Sequence, residues 1–257
     1  MPETERDVVA AAAGMRMVFQ PIVNLETGRV VGREALARFT DGRSPQVWID
    51  AAHRRGLGIE LELLALTRAL DDVSPSSDGF VSLNLSPPVL LSPTLPGVLR
   101  ERAATVQLVV ELTEHTAIED YPPLKHAIQG LRDMGVLVAV DDLGSGFASM
   151  RHVQRLRPDI VKLDRSLVAS IDRDIVQHRL AQNLVDFAAS IDCDVIAEGI
   201  ERTEEHQVCS AIGIRLGQGY LFGRPVALTR PEAAVPDADA APSPLPASGL
   251  RPWRRRR

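Results

Sequence analysis

GVLVAVDD, Gly135 to Asp142, is an unbroken apolar run that ends in two adjacent carboxylates. Its valine-rich composition, its short length and the flanking Gly135 and LGSGF (Leu143 to Phe147) predict a strand buried on both faces, as in a helix-covered parallel sheet. Burying an unpaired carboxylate is costly, so acids at the end of such a strand need a partner, a cation or water. The same ending recurs along the chain. Asn84 closes the strand pattern of FVSLNLS, and Glu111 and Glu114 close VQLVVELTE. Lys162 and Asp164 close DIVKLD, Glu198 and Glu201 close CDVIAEGIE, and Gln218 lies in IRLGQGY. VGREALARF, Val31 to Phe39, places Glu34 inside an apolar strand pattern.

Helical patterns separate these strands. MRMVFQPIV (Met15 to Val23) reads as a first strand, with a turn over Asn24 to Gly28 and a hairpin partner over Val30 to Phe39. Gln46 to Asp71 reads as two helical segments broken near Gly56 and Gly58, and Pro122 to Met134 as another helix. Asp174 to Ile191 is amphipathic, and Thr203 to Ile212 is a helix with Thr203 as its N-cap. This alternation predicts an α/β fold, a (βα)8 TIM-like barrel with an N-terminal hairpin-like antiparallel strand. A doubly wound open sheet is the alternative. In a barrel the C-terminal strand ends share one rim, so acids far apart in sequence converge there.

Three segments are expected: an N-terminal stretch over 1–14, a folded domain over 15–230 that carries the strand-end acids, and a disordered Pro/Ala-rich tail over 231–257 ending in an Arg run. The formal net charge of -5 provides no global basic field for DNA. Cys193 and Cys209 show no zinc-type spacing and read as reduced thiols of a cytoplasmic protein. The acidic N-terminus does not resemble a signal peptide, and no apolar run is long enough to span a membrane.

A lone acid at a strand end reads as a helix cap or loop residue. Asp164 would cap the turn after its strand, and Glu201 would be a surface residue. The repetition is what points to chemistry, because crowded carboxylates repel one another unless cations neutralise them. Oxygen ligands without clustered His favour a hard ion, Mg²⁺ or Mn²⁺. The adjacent pair Asp141-Asp142 suggests a bridge between two ions, the arrangement of two-metal phosphoryl chemistry. Lys162 on a barrel strand also fits a Schiff-base lysine, but neighbouring acids would keep it protonated.

EALAR, NLS, ELTE, DDLGSGF, KLDRSLV, AEGIE and QGYLFGRP occur here in the order of the EAL domain family, and FQPIVNLETGRVVG is similar to that family's opening hairpin. The resemblance covers Met15 to Val226. It implies a metal-dependent phosphodiesterase that linearises cyclic di-GMP to pGpG, with two Mg²⁺ or Mn²⁺ ions and a homodimer. Glu34, Asn84, Glu111 and Asp141 would hold one metal, and Asp141 and Asp142 the second, with help from Glu198. Lys162 would orient the attacking water, and Glu198 would be the general base. Gln20, Leu36, Arg38 and Gln218 would contact the dinucleotide, Arg38 through a phosphate oxygen. Asp164 and Glu201 would contact ligand or support the ligand shell, and Glu114 would anchor the LGSGF loop.

Some positions depart from that pattern. The segment between Phe39 and Leu57 is short, and His53-Arg54-Arg55 replaces acidic residues before Gly56-Leu57. Ile214-Arg215 stands where Cys-Asp is common. A cyclic di-GMP receptor or protein-interaction module without turnover is the alternative function.

Overall fold

The N-terminal hairpin forms where the chain can reverse cheaply. Asn24 Oδ1 accepts hydrogen bonds from Glu26 N (3.1 Å), Thr27 N (2.8 Å) and Thr27 Oγ1 (3.0 Å). Gly28 then takes the left-handed φ of 69° that closes the turn. A computed structural model describes residues 4–74, 79–112, 118, 120–144 and 147–228. Glu114 and the tail over 231–257 lie outside these residues.

In chain order the elements are α1 (Glu5–Gly14), β1 (Arg16–Asn24), β2 (Val30–Arg38), α2 (Pro45–His53), α3 (Gly58–Asp72) and β3 (Phe80–Leu85). Then come α4 (Pro87–Leu90), α5 (Leu95–Ala103), β4 (Gln107–Leu112), α6 (Tyr121–Asp133), β5 (Leu137–Leu143) and α7 (Phe147–Leu156). The series ends with β6 (Ile160–Leu163), α8 (Arg165–Val168), α9 (Ile175–Ser190), β7 (Asp194–Ala197), α10 (Thr203–Ala211) and β8 (Leu216–Gln218). The strands close a barrel in sequential order. β2 to β8 pair in parallel, while β1 is antiparallel to both β2 and β8. Closure overturns the open-sheet alternative: β8 bonds back to β1 through Ile22↔Gln218 and Asn24↔Leu216.

Alternation sorts the side chains. Val81, Leu83, Val110 and Leu112 point outward into a core shared with Leu66, Leu99, Leu124 and Ile128 of the surrounding helices. The inward residues Ile22, Phe80, Val109, Ala139, Ile160, Ile196 and Leu216 plug the barrel. Gly32 belongs to this layer because the Phe80 ring occupies its side-chain space: a Cβ there would sit 2.6 Å from the ring. α1, with a Thr4–Asp7 capping box, adds Val8 to a separate cluster with Phe39, Trp48 and Leu61.

The N-cap of α10 is Arg202, with Thr203 as the first helical residue, a correction to the sequence reading. The Glu205 carboxylate turns back and accepts from the N–H groups of Glu201 (3.0 Å) and Arg202 (3.1 Å), so the helix start does not need a threonine cap. Neither cysteine forms a disulfide, and both are buried. Burial, with Glu205 adding to it, pushes the Cys209 thiol up to about 12. Cys209 is therefore expected to resist iodoacetamide at about pH 8 in the folded protein and to label rapidly in guanidinium. Labelling of the native protein at a free-thiol rate would contradict that burial.

Candidate active site

Each polar strand-end residue stands above an apolar plug residue, because side chains two apart share a face. Glu111 follows Val109, Asp141 follows Ala139, Lys162 follows Ile160, Glu198 follows Ile196 and Gln218 follows Leu216. Glu34 follows Gly32, and Asn84 stands four beyond Phe80. β1 runs the other way, so its polar residue, Gln20, comes two before Ile22 and opposite Glu34. A polar floor thus crosses the C-terminal mouth of the barrel.

Lys162 is the hub of this floor and is 1% exposed. Its Nζ donates to Glu111 Oε2 at 2.7 Å and pairs with Glu198 Oε1 at 2.7 Å. Asp141 Oδ1 lies 3.4 Å away and Glu34 Oε2 3.5 Å away. Asn84 Nδ2 donates to Glu34 Oε1 at 2.8 Å, and Gln218 Nε2 to Glu34 Oε2 at 2.6 Å. Gln218 Nε2 also donates to Gln20 Oε1 at 2.9 Å, and Gln20 Nε2 donates to the Gly223 carbonyl at 3.1 Å.

Adjacent strand residues ordinarily face opposite sides, yet Asp141 and Asp142 act together. The β5–β6 register explains this. Val140 pairs with Val161 and Leu143 with Leu163, so two residues of β5 oppose Lys162 alone. This is a β-bulge, which re-aims side chains beside sites. Asp142 takes a φ of 54°, a conformation costing a non-glycine residue roughly 1–3 kcal/mol. One oxygen each from Asp141, Asp142 and Glu198 then lie within 4.8 Å of one another.

The charges do not balance. Four carboxylates surround one ammonium. Burial pushes Glu111 up to about 8, against the pull of Lys162 and with Glu34 and Asp141 adding to the rise. Burial likewise drives Glu198 well above the usual carboxylate range despite Lys162. Glu34 also suffers burial, but Lys162, Gln218 and Asn84 outweigh it and hold its carboxyl below the usual range. The acids around Lys162, led by Asp141 and Glu111, outweigh its burial and raise it well above an ordinary lysine. It is thus a fixed cation, which removes the Schiff-base reading. Lys162 makes short contacts to Glu111 and Glu198, yet burial and the neighbouring acids raise both carboxyls against its pull. Glu111 Oε1, fully buried, has no hydrogen-bond partner among the described residues. Excess buried negative charge, an orphaned carboxylate oxygen and an all-oxygen donor set fit hard divalent cations.

Beside the floor lies a cavity of about 210 Å³, lined by Leu36, Asn84, Asp141 and Asp142 on one side and by Met17, Ile49 and Leu66 on another. Arg38 Nη1 donates to the Ala37 carbonyl at 2.7 Å, and among the described residues no acid pairs with its guanidinium. Asp164 caps α8, accepting from Ser166 N at 2.9 Å, and Glu201 pairs with Arg165 at 3.0 Å, so both make the ordinary contacts of their loops. The sequence reading missed Glu62, a buried acid on α3 that also lines the cavity. The signal was present: Glu62 falls on the buried stripe of Gly58, Leu66 and Ala69.

Fold and site together define an α/β barrel whose strand C-termini hold a net-anionic, oxygen-rich centre. The family model of the EAL domain matches residues 5–225, and the chain belongs to that family. It is 32% identical over 220 residues to "Probable cyclic di-GMP phosphodiesterase PdeB" of Escherichia coli (strain K12), an alignment covering 80% of this chain and 42% of that protein. It is 29% identical over 220 residues to "Probable cyclic di-GMP phosphodiesterase PdeD" of the same organism, covering 81% of this chain and 41% of that protein. The chain thus spans less than half the length of these relatives. Among solved structures, Klebsiella pneumoniae BlrP1 in a manganese/cyclic di-GMP complex superposes with a TM-score of 0.73 at 29% identity, covering 83% of this chain and 56% of that one. EAL enzyme Bd1971 in its cAMP- and cyclic di-GMP-bound form gives 0.76 at 26% identity, covering 88% and 68%. Among the described residues no helix is long and apolar enough to cross a membrane.

Proposed function

We propose that the chain hydrolyses cyclic di-GMP to linear pGpG with two divalent ions, Mg²⁺ or Mn²⁺, and that the barrel over 15–230 is the catalytic unit. The observation that carries this is the ring of Glu34, Asn84, Glu111, Asp141, Asp142 and Glu198 about Lys162, too negative for one ammonium to neutralise. Likeness to BlrP1, whose solved complex holds manganese and cyclic di-GMP, supports it.

Glu34, Asn84, Glu111 and Asp141 would hold one ion, and Asp141 and Asp142 the other with Glu198. Bound there, divalent ions acidify the attacking water and stabilise negative charge at the phosphate. Glu198 would accept the water's proton, and Lys162, fixed by its carboxylates, would orient the water and offset charge at the phosphate. Leu36, Gln20 and Gln218 would contact the dinucleotide, Asp164 and Glu201 would support its rim, and Glu114 would anchor the neighbouring loop. The exposed α9 residues Ile175, Val176 and Leu180 favour a homodimer. Two buried cysteines that form no disulfide favour a cytoplasmic location.

Incubation with cyclic di-GMP and Mn²⁺, with and without EDTA, tests the proposal. Formation of pGpG only with metal is expected; tight binding without product would replace it with the receptor reading. Arg38, with no acidic partner among the described residues, is expected to bind a phosphate oxygen. Arg38→Ala should raise KM about 10–100-fold, the effect of losing a charge-assisted hydrogen bond worth about 1.5–3 kcal/mol, with a smaller change in kcat. Steady-state kinetics with an unchanged KM would remove Arg38 from the binding site.

A further inference from the structure

The α3 helix carries one acid on its buried face. Glu62 is 6% exposed, among Leu61, Leu66, Ala69 and Leu70. A carboxylate there requires strong partners, and it has them at both oxygens. Oε2 accepts from the backbone N–H of Ser86 at 2.7 Å, and Oε1 from the Ser86 hydroxyl at 2.7 Å. His53 Nε2 lies 2.5 Å from Oε1.

Ser86 stands at the N-cap of α4, yet its side chain makes no capping bond. Pro87 and Pro88 remove the first two N–H donors of that helix, and the hydroxyl turns to Glu62 instead. The exit of β3 is therefore fixed by α3. Two residues before Ser86, near the end of β3, Asn84 donates to Glu34. Glu62 and Asn84 also line the same cavity as Asp141 and Asp142. Gly58 keeps the arrangement possible: a Cβ there would lie 2.3 Å from His53 Nδ1, so any larger residue displaces the ring.

We propose that Glu62 is a positioning residue, which with His53 clamps Ser86 and thereby holds Asn84 in place for a divalent cation. The inference rests on the metal-site reading above. It also gives His53, part of the run that departs from the family pattern, a partner within the fold.

Mn²⁺ binding without nucleotide, measured by titration calorimetry beside thermal unfolding, tests this on the full chain, Glu62→Gln, Ser86→Ala and Gly58→Ala. Outer partners of metal-binding side chains typically contribute about 10–100-fold to affinity, so Glu62→Gln is expected to weaken Mn²⁺ about tenfold or more. Gly58→Ala and Ser86→Ala should weaken it several-fold at a melting temperature close to that of the unsubstituted chain. Gly58→Ala carries the test if Glu62→Gln fails to fold. Folded variants that bind Mn²⁺ as tightly as the unsubstituted chain would overturn the positioning role alone. An unsubstituted chain that binds no Mn²⁺ would overturn the metal site, and this inference with it.

Discussion

Glu34→Ala is expected to lower metal-dependent hydrolysis of cyclic di-GMP by about 10²–10³-fold, the scale on which removing one group that stabilises the reacting centre acts. Glu34 is the most tightly held acid of the ring: Asn84 and Gln218 donate to its two oxygens, and Lys162 lies 3.5 Å away. These contacts overcome its burial and keep it ionised. Alanine would take the acceptor from Asn84 Nδ2 and leave Gln218 Nε2 only its bond to Gln20, at a cost of about 1–3 kcal/mol. The loss is partly offset, because Glu34 is one of the charges that repel Glu111 and Glu198. Activity should therefore fall far more than stability. Glu34→Gln, which keeps the shape and one acceptor but not the charge, should be nearly as inactive. Product chromatography beside thermal unfolding separates the two effects. Near-normal metal-dependent turnover in Glu34→Ala would sink the ligand assignment.

The strand ends were legible in the sequence because a buried strand has a period of two and shows its polar exit as a break in an apolar run. That logic placed Asn84, Glu111, Asp141, Lys162, Glu198 and Gln218 on one rim, the family resemblance added Glu34, and the structure brings them together. It did not foresee the bulge at Asp141-Asp142, since strict alternation would send these side chains to opposite faces and no local signal marks the left-handed turn at Asp142. Closure was only one of two alternatives, because the β1–β8 bonds join distant parts of the chain. Glu62 was lost among the ordinary acids of a helix, as its partners lie in α2 and after β3. The Thr4–Asp7 capping pattern of α1 stands in the sequence, but a single short helix at the chain's start carries no periodic signal that ties it to the barrel.

The unbalanced ring has a consequence for stability that does not depend on turnover. Glu111 rises from an ordinary 4.5 to about 8 on folding, through burial. A carboxyl group raised in this way binds its proton more tightly when folded. Its contribution to stability is complete below about pH 4.5 and is lost as pH rises through about 8. Glu198 shifts in the same direction. Glu34 and Glu205 are lowered, so their contributions vanish only in more acidic solution, below this window. Lys162 is raised, and its contribution is lost only above the ordinary lysine range. In EDTA, unfolding free energy from urea titrations should therefore fall by a few kcal/mol between about pH 5 and pH 8, at about 1.4 kcal/mol per pH unit for each extra proton held by the folded state. Saturating Mn²⁺ should reverse the trend, because a cation favours the ionised ring and binds only the folded chain. Glu111→Gln should make the slope in EDTA shallower by removing one of the two raised carboxyls, leaving the part due to Glu198. A flat profile in EDTA for the unsubstituted chain, or a slope unchanged by Mn²⁺, would show that the buried carboxylates are neutralised some other way.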